Sequence, residues 1–170
     1  LIESYISRKA KPIPRALCVQ GLRLAIPAIV EAVENGKSRP ARERMSHAAL
    51  LSGMALANSG LGMAQARPCG VMLPAALRVN REVCGDDLAG LARQVFELDP
   101  ATPEAEAIDR LIDEIEATCR RVGVPRRLSE LGVRTDQIPA LVKSSRGSSM
   151  SGNPRELSDD ELMLLLKEML

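Results

Sequence analysis

The stretch from Arg42 to Gln65 limits the fold more than any other part of the chain. It reads as a helix built largely of small residues. Met45, Ala48, Ala49, Ser52, Leu56 and Ser59 recur at three- and four-residue spacing and so share one helical face. Ala48, Ala49, Ser52, Gly53 and Ala55 carry little bulk, so another backbone can approach closely. The stretch is therefore expected to be the central helix of a packed bundle. Gly60 and Gly62 should end it, because glycine enters the left-handed region at low cost.

The other segments carry the same 3.6-residue periodicity. Leu1, Ile2, Tyr5 and Ile6 form a short apolar stripe that ends near Lys9–Lys11. Pro14 can open a second helix, with Leu17, Leu22, Leu24, Ile26, Ile29, Val30 and Val33 as its apolar content. Pro27 is expected to kink or break that helix, and Asn35-Gly36 to stop it. Asp86 and Asp87 start a short amphipathic helix through Leu88, Leu91, Ala92 and Val95, with acid where the helix dipole favours it. Thr102-Pro103-Glu104 reads as a cap, a first-position proline and a first-turn acid. Ile108, Leu111, Ile112, Ile115 and Cys119 follow as a buried face, closed by Gly123. Thr135 to Ile138 opens a helix ending near Lys143, and Ser144 to Gly152 is a Ser/Gly-rich loop. Ser158-Asp159-Asp160-Glu161 is a capping box for a last helix carrying Leu162, Leu165, Leu166 and Leu170. No strand-like alternation and no repeat occurs, so the expectation is one all-α domain over residues 1–170.

Charge and composition exclude several functions. The net charge is +1, which gives no electrostatic case for nucleic acid or an anionic membrane. One Tyr, one Phe and no Trp are too few rings for a base-stacking platform. No apolar run approaches the roughly 20 residues that span a bilayer, and no signal peptide is evident. Cys18, Cys69, Cys84 and Cys119 form no C-x-x-C pair, so a structural zinc site is not indicated. They read as reduced, mostly buried thiols in a cytoplasmic protein. Leu1 opens a helix already under way without a cap. The expectation is that the chain begins inside a larger protein, or after residues that the sequence omits.

Few residues offer chemistry. His47 is the only histidine, and Glu43 is the only ligand-type residue at helical spacing from it. It reads as a helix-surface residue rather than a base or metal ligand. Asp109/Asp113 and Glu114/Glu116 are paired carboxylates, but they fall on the polar side of their helix and read as a solvated surface.

Several phrases carry a resemblance. Ala41 to Met63 follows the pattern AR-x-x-M-x-x-A-x-x-x-x-G-x-A-x-x-N-x-G-L-G-M. Val71-Met72-Leu73-Pro74 and the run to Asn80 follow, then Val124-Pro125 with Leu128-Ser129-Glu130-Leu131-Gly132, then Asn153-Pro154-Arg155. In this order they resemble the C-terminal helical domain of the iron-containing (group III) alcohol dehydrogenases. The resemblance implies a multi-helix bundle of the dehydroquinate synthase-like type. It implies a nicotinamide-binding domain N-terminal to this region as partner, which this chain does not contain. It further implies NAD(P), a divalent metal (iron or zinc) and a small alcohol or aldehyde substrate; a homo-oligomer is left open. Glu3 matches a glutamate of the family's H-A-I-E phrase, and Leu56 falls where the family lines its substrate cleft.

The chain departs from the family at the metal site. The family continues with Ala-His-Gly and its histidine binds metal, whereas here Ala64-Gln65-Ala66 places Gln65 at the ligand position. Pro68-Cys69-Gly70 then reaches Val71 far too soon. It reads either as a shortened Pro-His-Gly with Cys69 at the second ligand position or as the place where a longer segment has dropped out, and the second reading accounts for the loss of both histidines together. The upstream family ligands are also outside this sequence. The expectation is an oxidoreductase domain that is inactive alone and holds neither metal nor cofactor. The alternative is a non-catalytic helical interaction or scaffold domain that has lost its metal site.

Overall fold

A computed structural model describes residues 1–59, 69–146 and 150–170. Among them there is no strand. The helices are α1 (Ile2–Ile6), α2 (Pro12–Glu34), α3 (Arg39–Ser59), α4 (Cys69–Phe96), α5 (Glu104–Arg121), α6 (Ile138–Ser145) and α7 (Asp159–Glu168). Short 3-10 turns lie at Ser129–Leu131, Thr135–Gln137 and Met150–Gly152.

The central helix is α4, not α3. Its residues enter both apolar clusters of the molecule. One cluster joins Leu77, Leu88 and Leu91 of α4 to α1, to Leu22 of α2 and to Ile108, Leu111 and Ile112 of α5. The other joins Val71, Met72 and Ala76 of α4 to Leu128, Ile138, Val142, Leu157, Leu162 and Leu166. By contrast, α3 packs along α2 and touches α1, and its far side is open. Only Ala41, Ala48, Ala55 and Ser59 are buried on it. With the half-buried Met45 and Ser52 they form a seam at alternating four- and three-residue spacing, narrower than the broad face expected. Ala49 is exposed, Leu50 is 63% exposed, and a methyl added at Gly53 would meet nothing. Small residues permit close approach on any side, but they draw a partner only where apolar area can be buried.

Local signals mostly act as read, with informative exceptions. The second helix passes through Pro27 without a break. Pro27 and Arg23, whose carbonyl loses its partner there, are both exposed, so water can solvate the gap. This continuity makes α2 a 23-residue helix with mean hydropathy 1.6 in its most apolar window, long and apolar enough to cross a membrane by length and composition. This corrects the expectation that no apolar run approaches spanning length: Arg23 interrupts the stretch, but its average stays apolar. In this fold α2 is a packing helix, and both its arginines engage α4: Arg15 pairs with Asp87, and Arg23 donates to the Gln94 carbonyl at 2.6 and 2.9 Å.

The fourth helix breaks at Cys84 (φ −139°, ψ 36°), so Asp86 and Asp87 do stand in the first turn of a new helical run. That run ends with Glu97 at φ 53° and the Leu98 N–H donating to the Arg93 carbonyl at 3.1 Å, a glycine-type cap formed without glycine. At the start of α5, Pro103 is the cap residue and the Thr102 side chain caps nothing. The Thr102 carbonyl instead accepts from Arg93 at 2.7 Å. Gly123, at φ 75°, closes α5, with Val124 N–H donating to the Cys119 carbonyl at 2.9 Å. The carboxylates of α5 are not merely solvated. Asp109 pairs with Arg81 at 2.8 Å and Glu116 with Arg78 at 2.6 Å, both arginines belonging to α4. The region read as a loop from Ser144 is shorter at both ends, since α6 reaches Ser145 and a 3-10 turn begins at Met150. The predicted capping box of α7 forms, with Glu161 N–H donating to Ser158 Oγ at 3.2 Å and Ser158 N–H to Glu161 Oε2 at 2.8 Å.

Candidate functional site

Three segments meet where α1 ends. Ser7 Oγ donates to the Ser59 carbonyl at 2.7 Å and so fixes the last turn of α3. Arg8 N–H donates to the Gly152 carbonyl at 3.2 Å, and its guanidinium pairs with Glu156 at 2.8 Å. The ends of α1 and α3 and the segment from Gly152 to Glu156 are thus tied together. The hydroxyls of Ser4 and Ser59 are buried here without a hydrogen-bond partner among the described residues.

Side-chain networks hold this junction from behind. Arg15 grips Asp87 with two hydrogen bonds of 2.6 and 2.7 Å, a bidentate geometry that carries specificity as well as energy. Its guanidinium also lies 5.1 Å from the centre of the Tyr5 ring. The hydrogen bond to Asp87 raises the Arg15 pKa against the opposing cost of burial. Burial pushes the Tyr5 hydroxyl up, opposed by its hydrogen bond from Gln94 and by Arg15.

A second network was not legible as such in the sequence. Asn80 of α4 and Asn153 are both buried and exchange amide hydrogen bonds of 3.0 and 2.9 Å. Asn153 Nδ2 also donates to the Arg155 carbonyl at 2.7 Å, and Arg155 N–H donates to Asn80 Oδ1 at 3.2 Å. Arg155 then pairs with Glu82 and Glu161, each at 3.0 Å. Buried amides satisfied this fully fix one arrangement of the chain. Both asparagines stand inside phrases read for resemblance, which was the only available signal.

The residues singled out from the sequence do not converge. Leu56 lies on α3, partly buried, one turn before the Ser59 anchor. Glu3 lies on α1, partly buried. His47 is exposed on α3. Gln65 and the side chain of Cys69 lie outside the described residues, as does Gly60-Leu61-Gly62. Burial raises the pKa of the other three thiols, Cys18, Cys84 and Cys119, with Cys84 at about 11. They stay protonated near neutrality, whereas a metal takes the thiolate. Among the described residues no three His, Cys, Asp or Glu side chains are placed to hold a metal ion. A catalytic divalent ion takes about three protein ligands, so the described donor set does not fit one by itself.

Comparison with known proteins agrees with this helical architecture. The model of the Fe-containing alcohol dehydrogenase family, C-terminal, matches residues 1–66 and 63–170. The two matches overlap at residues 63–66. The chain is 28% identical over 182 residues to 1,3-propanediol dehydrogenase of Klebsiella pneumoniae, covering 98% of this chain and 47% of that protein. It is 27% identical over 184 residues to the NAD-dependent methanol dehydrogenase of Bacillus methanolicus, covering 99% and 48%. A crystal structure of 1,3-propanediol oxidoreductase superposes with a TM-score of 0.92 at 27% identity, covering 99% of this chain and 48% of that one. The chain spans about half the length of the curated relatives it matches.

Proposed function

The chain belongs to the Fe-containing alcohol dehydrogenase family, as its C-terminal helical domain, and from that membership we propose that it serves as the helical half of an NAD(P)- and metal-dependent enzyme interconverting alcohols with aldehydes or ketones. The observation that carries the reading is the superposition of the whole described bundle on the matching half of 1,3-propanediol oxidoreductase. In this reading an N-terminal nucleotide-binding domain is the partner. The cofactor carries the hydride and the protein supplies position and electrostatics. The end of α3, held by Ser7, presents Leu56 to the substrate cleft. A divalent metal, if held by the completed protein, would supply Lewis-acid chemistry toward the substrate oxygen. Its ligands come from outside the 170 residues or from a longer segment between Gln65 and Val71.

One observation favours a second reading, a non-catalytic helical domain. The only histidine of the sequence, His47, is exposed on α3, away from any donor cluster among the described residues. Gln65 supplies an amide where a borderline divalent ion prefers imidazole. One experiment separates the two. Metal content by elemental analysis and NAD(P)-linked turnover of a panel of primary alcohols and aldehydes are measured on the 170-residue chain, and on a protein extended at the N-terminus with a family-length segment after Gln65. Metal and turnover are expected only in the extended protein. Stoichiometric metal with turnover in the short chain would mean the site has been misplaced, and an inactive, metal-free extended protein would establish the non-catalytic reading.

A further inference from the structure

A hollow of about 520 Å³ opens between the first turns of α4, the last turn of α5, the segment from Val124 to Arg127 and the end of α7. Val71, Pro74, Ala75 and Val124 give it an apolar wall. Neither Leu56 nor any other residue of α3 lines it. Four arginines also line it: Arg78, Arg120, Arg126 and Arg127.

These arginines are unusual for this molecule. Arg78 is committed to Glu116 at 2.6 Å. Arg120, Arg126 and Arg127 engage no acid, carbonyl or ring among the described residues. Almost every other described arginine is engaged, by a carboxylate or, for Arg42 and Arg93, by a carbonyl. Arg44 is the exception. Three of the four unengaged arginines therefore converge on one hollow. Glu130 and Glu168 line it too and lower its net charge, but neither forms an ion pair with the three guanidinium groups. The donor forks stay available, and a guanidinium matches the two oxygens of a phosphate or carboxylate geometrically. The volume lies in the range of small-molecule sites, about 300–1,000 Å³, and the apolar wall exceeds what a bare inorganic ion would use.

We propose that this hollow binds a small organic anion, its phosphate or carboxylate head on Arg120, Arg126 and Arg127 and its carbon body against the wall of Val71, Pro74, Ala75 and Val124. The test titrates the full chain with phenyl phosphate, benzoate and benzyl alcohol, followed by calorimetry. The probes share one carbon body and differ in the head, so they separate a phosphate from a carboxylate preference and both from apolar contact alone. Saturable binding of at least one anion is expected, and none of benzyl alcohol. The double variant Arg126→Gln/Arg127→Gln should weaken that binding by about tenfold or more, since charge-assisted contacts are lost. Ala75→Leu, which fills the wall and keeps every charge, should weaken it as well. Arg44→Gln, which removes an unengaged arginine elsewhere, should leave it unchanged. Both arginines of the double variant are exposed, so folding, checked by circular dichroism, is expected to persist. Failure of both anions to saturate overturns the proposal. So does binding that the double variant and Ala75→Leu both leave intact, or that Arg44→Gln weakens as much as the double variant does.

Discussion

Helices α5 and α3, of 18 and 21 residues, meet the core in opposite ways. On α5, Ile108, Leu111, Ile112 and Ile115 are all buried, and the opposite side carries acids and arginines. On α3 the buried residues are two alanines of the middle, Ala48 and Ala55, one alanine at the start and one serine at the end. Its large side chains Leu50 and Met54 point outward, 63% and 47% exposed. The difference teaches that large apolar side chains report burial where they continue as a stripe over successive turns, as on α5, and not as the isolated pair Leu50 and Met54, whereas small ones report only that close approach is allowed. One helix is held by area removed from water, the other by how near its backbone lies to that of α2.

The largest effect should come from α5. Leu111 is fully buried in the cluster shared by α1, α2, α4 and α5. Leu111→Ala removes buried carbon atoms and leaves a cavity in a close-packed interior, at a cost of about 2–5 kcal/mol. Chemical denaturation of the full chain would read this as a lower midpoint at unchanged slope. A loss well under 1 kcal/mol would mean that the apolar stripe of α5 is not the support that its burial implies.

Overpacking on α3 should come next. Ala48 is 3% exposed in the seam against α2, so Ala48→Leu must push the two helices apart, at about 1–3 kcal/mol. Ser52 also lies on the seam but is only half-buried, so Ser52→Leu should cost less, about 1 kcal/mol or under. Equal costs at the two positions would show that the seam is wider than the burial pattern indicates.

The same contrast explains what the sequence could disclose. The all-α class, the buried face of α5, the new helical start at Asp86-Asp87 and the capping box at Ser158 were legible, because each depends on neighbours within a few positions. The central place of α4 was not, because it depends on two clusters assembled from distant segments. The Asn80–Asn153 pair joins residues 73 positions apart, and a single asparagine carries no sign of where its partner lies. The convergence of Arg120, Arg126 and Arg127 on a hollow was hidden similarly, since Val71, Pro74 and Ala75 of its apolar wall come from the distant α4. The expectation that Gln65 stands at the family's metal-ligand position rests on the pattern rather than on any contact, and that residue lies outside the described part of the structure.

The smallest effect is expected on the outer side of α3, and it tests the comparison most directly. Leu50 and Met54 are large and apolar, so a sequence pattern alone would place them in a core. Their exposure implies that they contribute little apolar burial within this chain. Leu50→Ser and Met54→Ser should therefore shift stability by no more than about 0.5 kcal/mol, the usual range for surface positions. Denaturant midpoints at two protein concentrations would check this. A loss that approaches that of Leu111→Ala at both concentrations would show that this side of α3 is covered by the chain itself. A loss seen only at the higher concentration would show that a second copy covers it. A neutral result at both would confirm that α3 is held on its inner side only, by the seam with α2 and the contacts with α1, and that its small residues mark close approach without burial on more than one side.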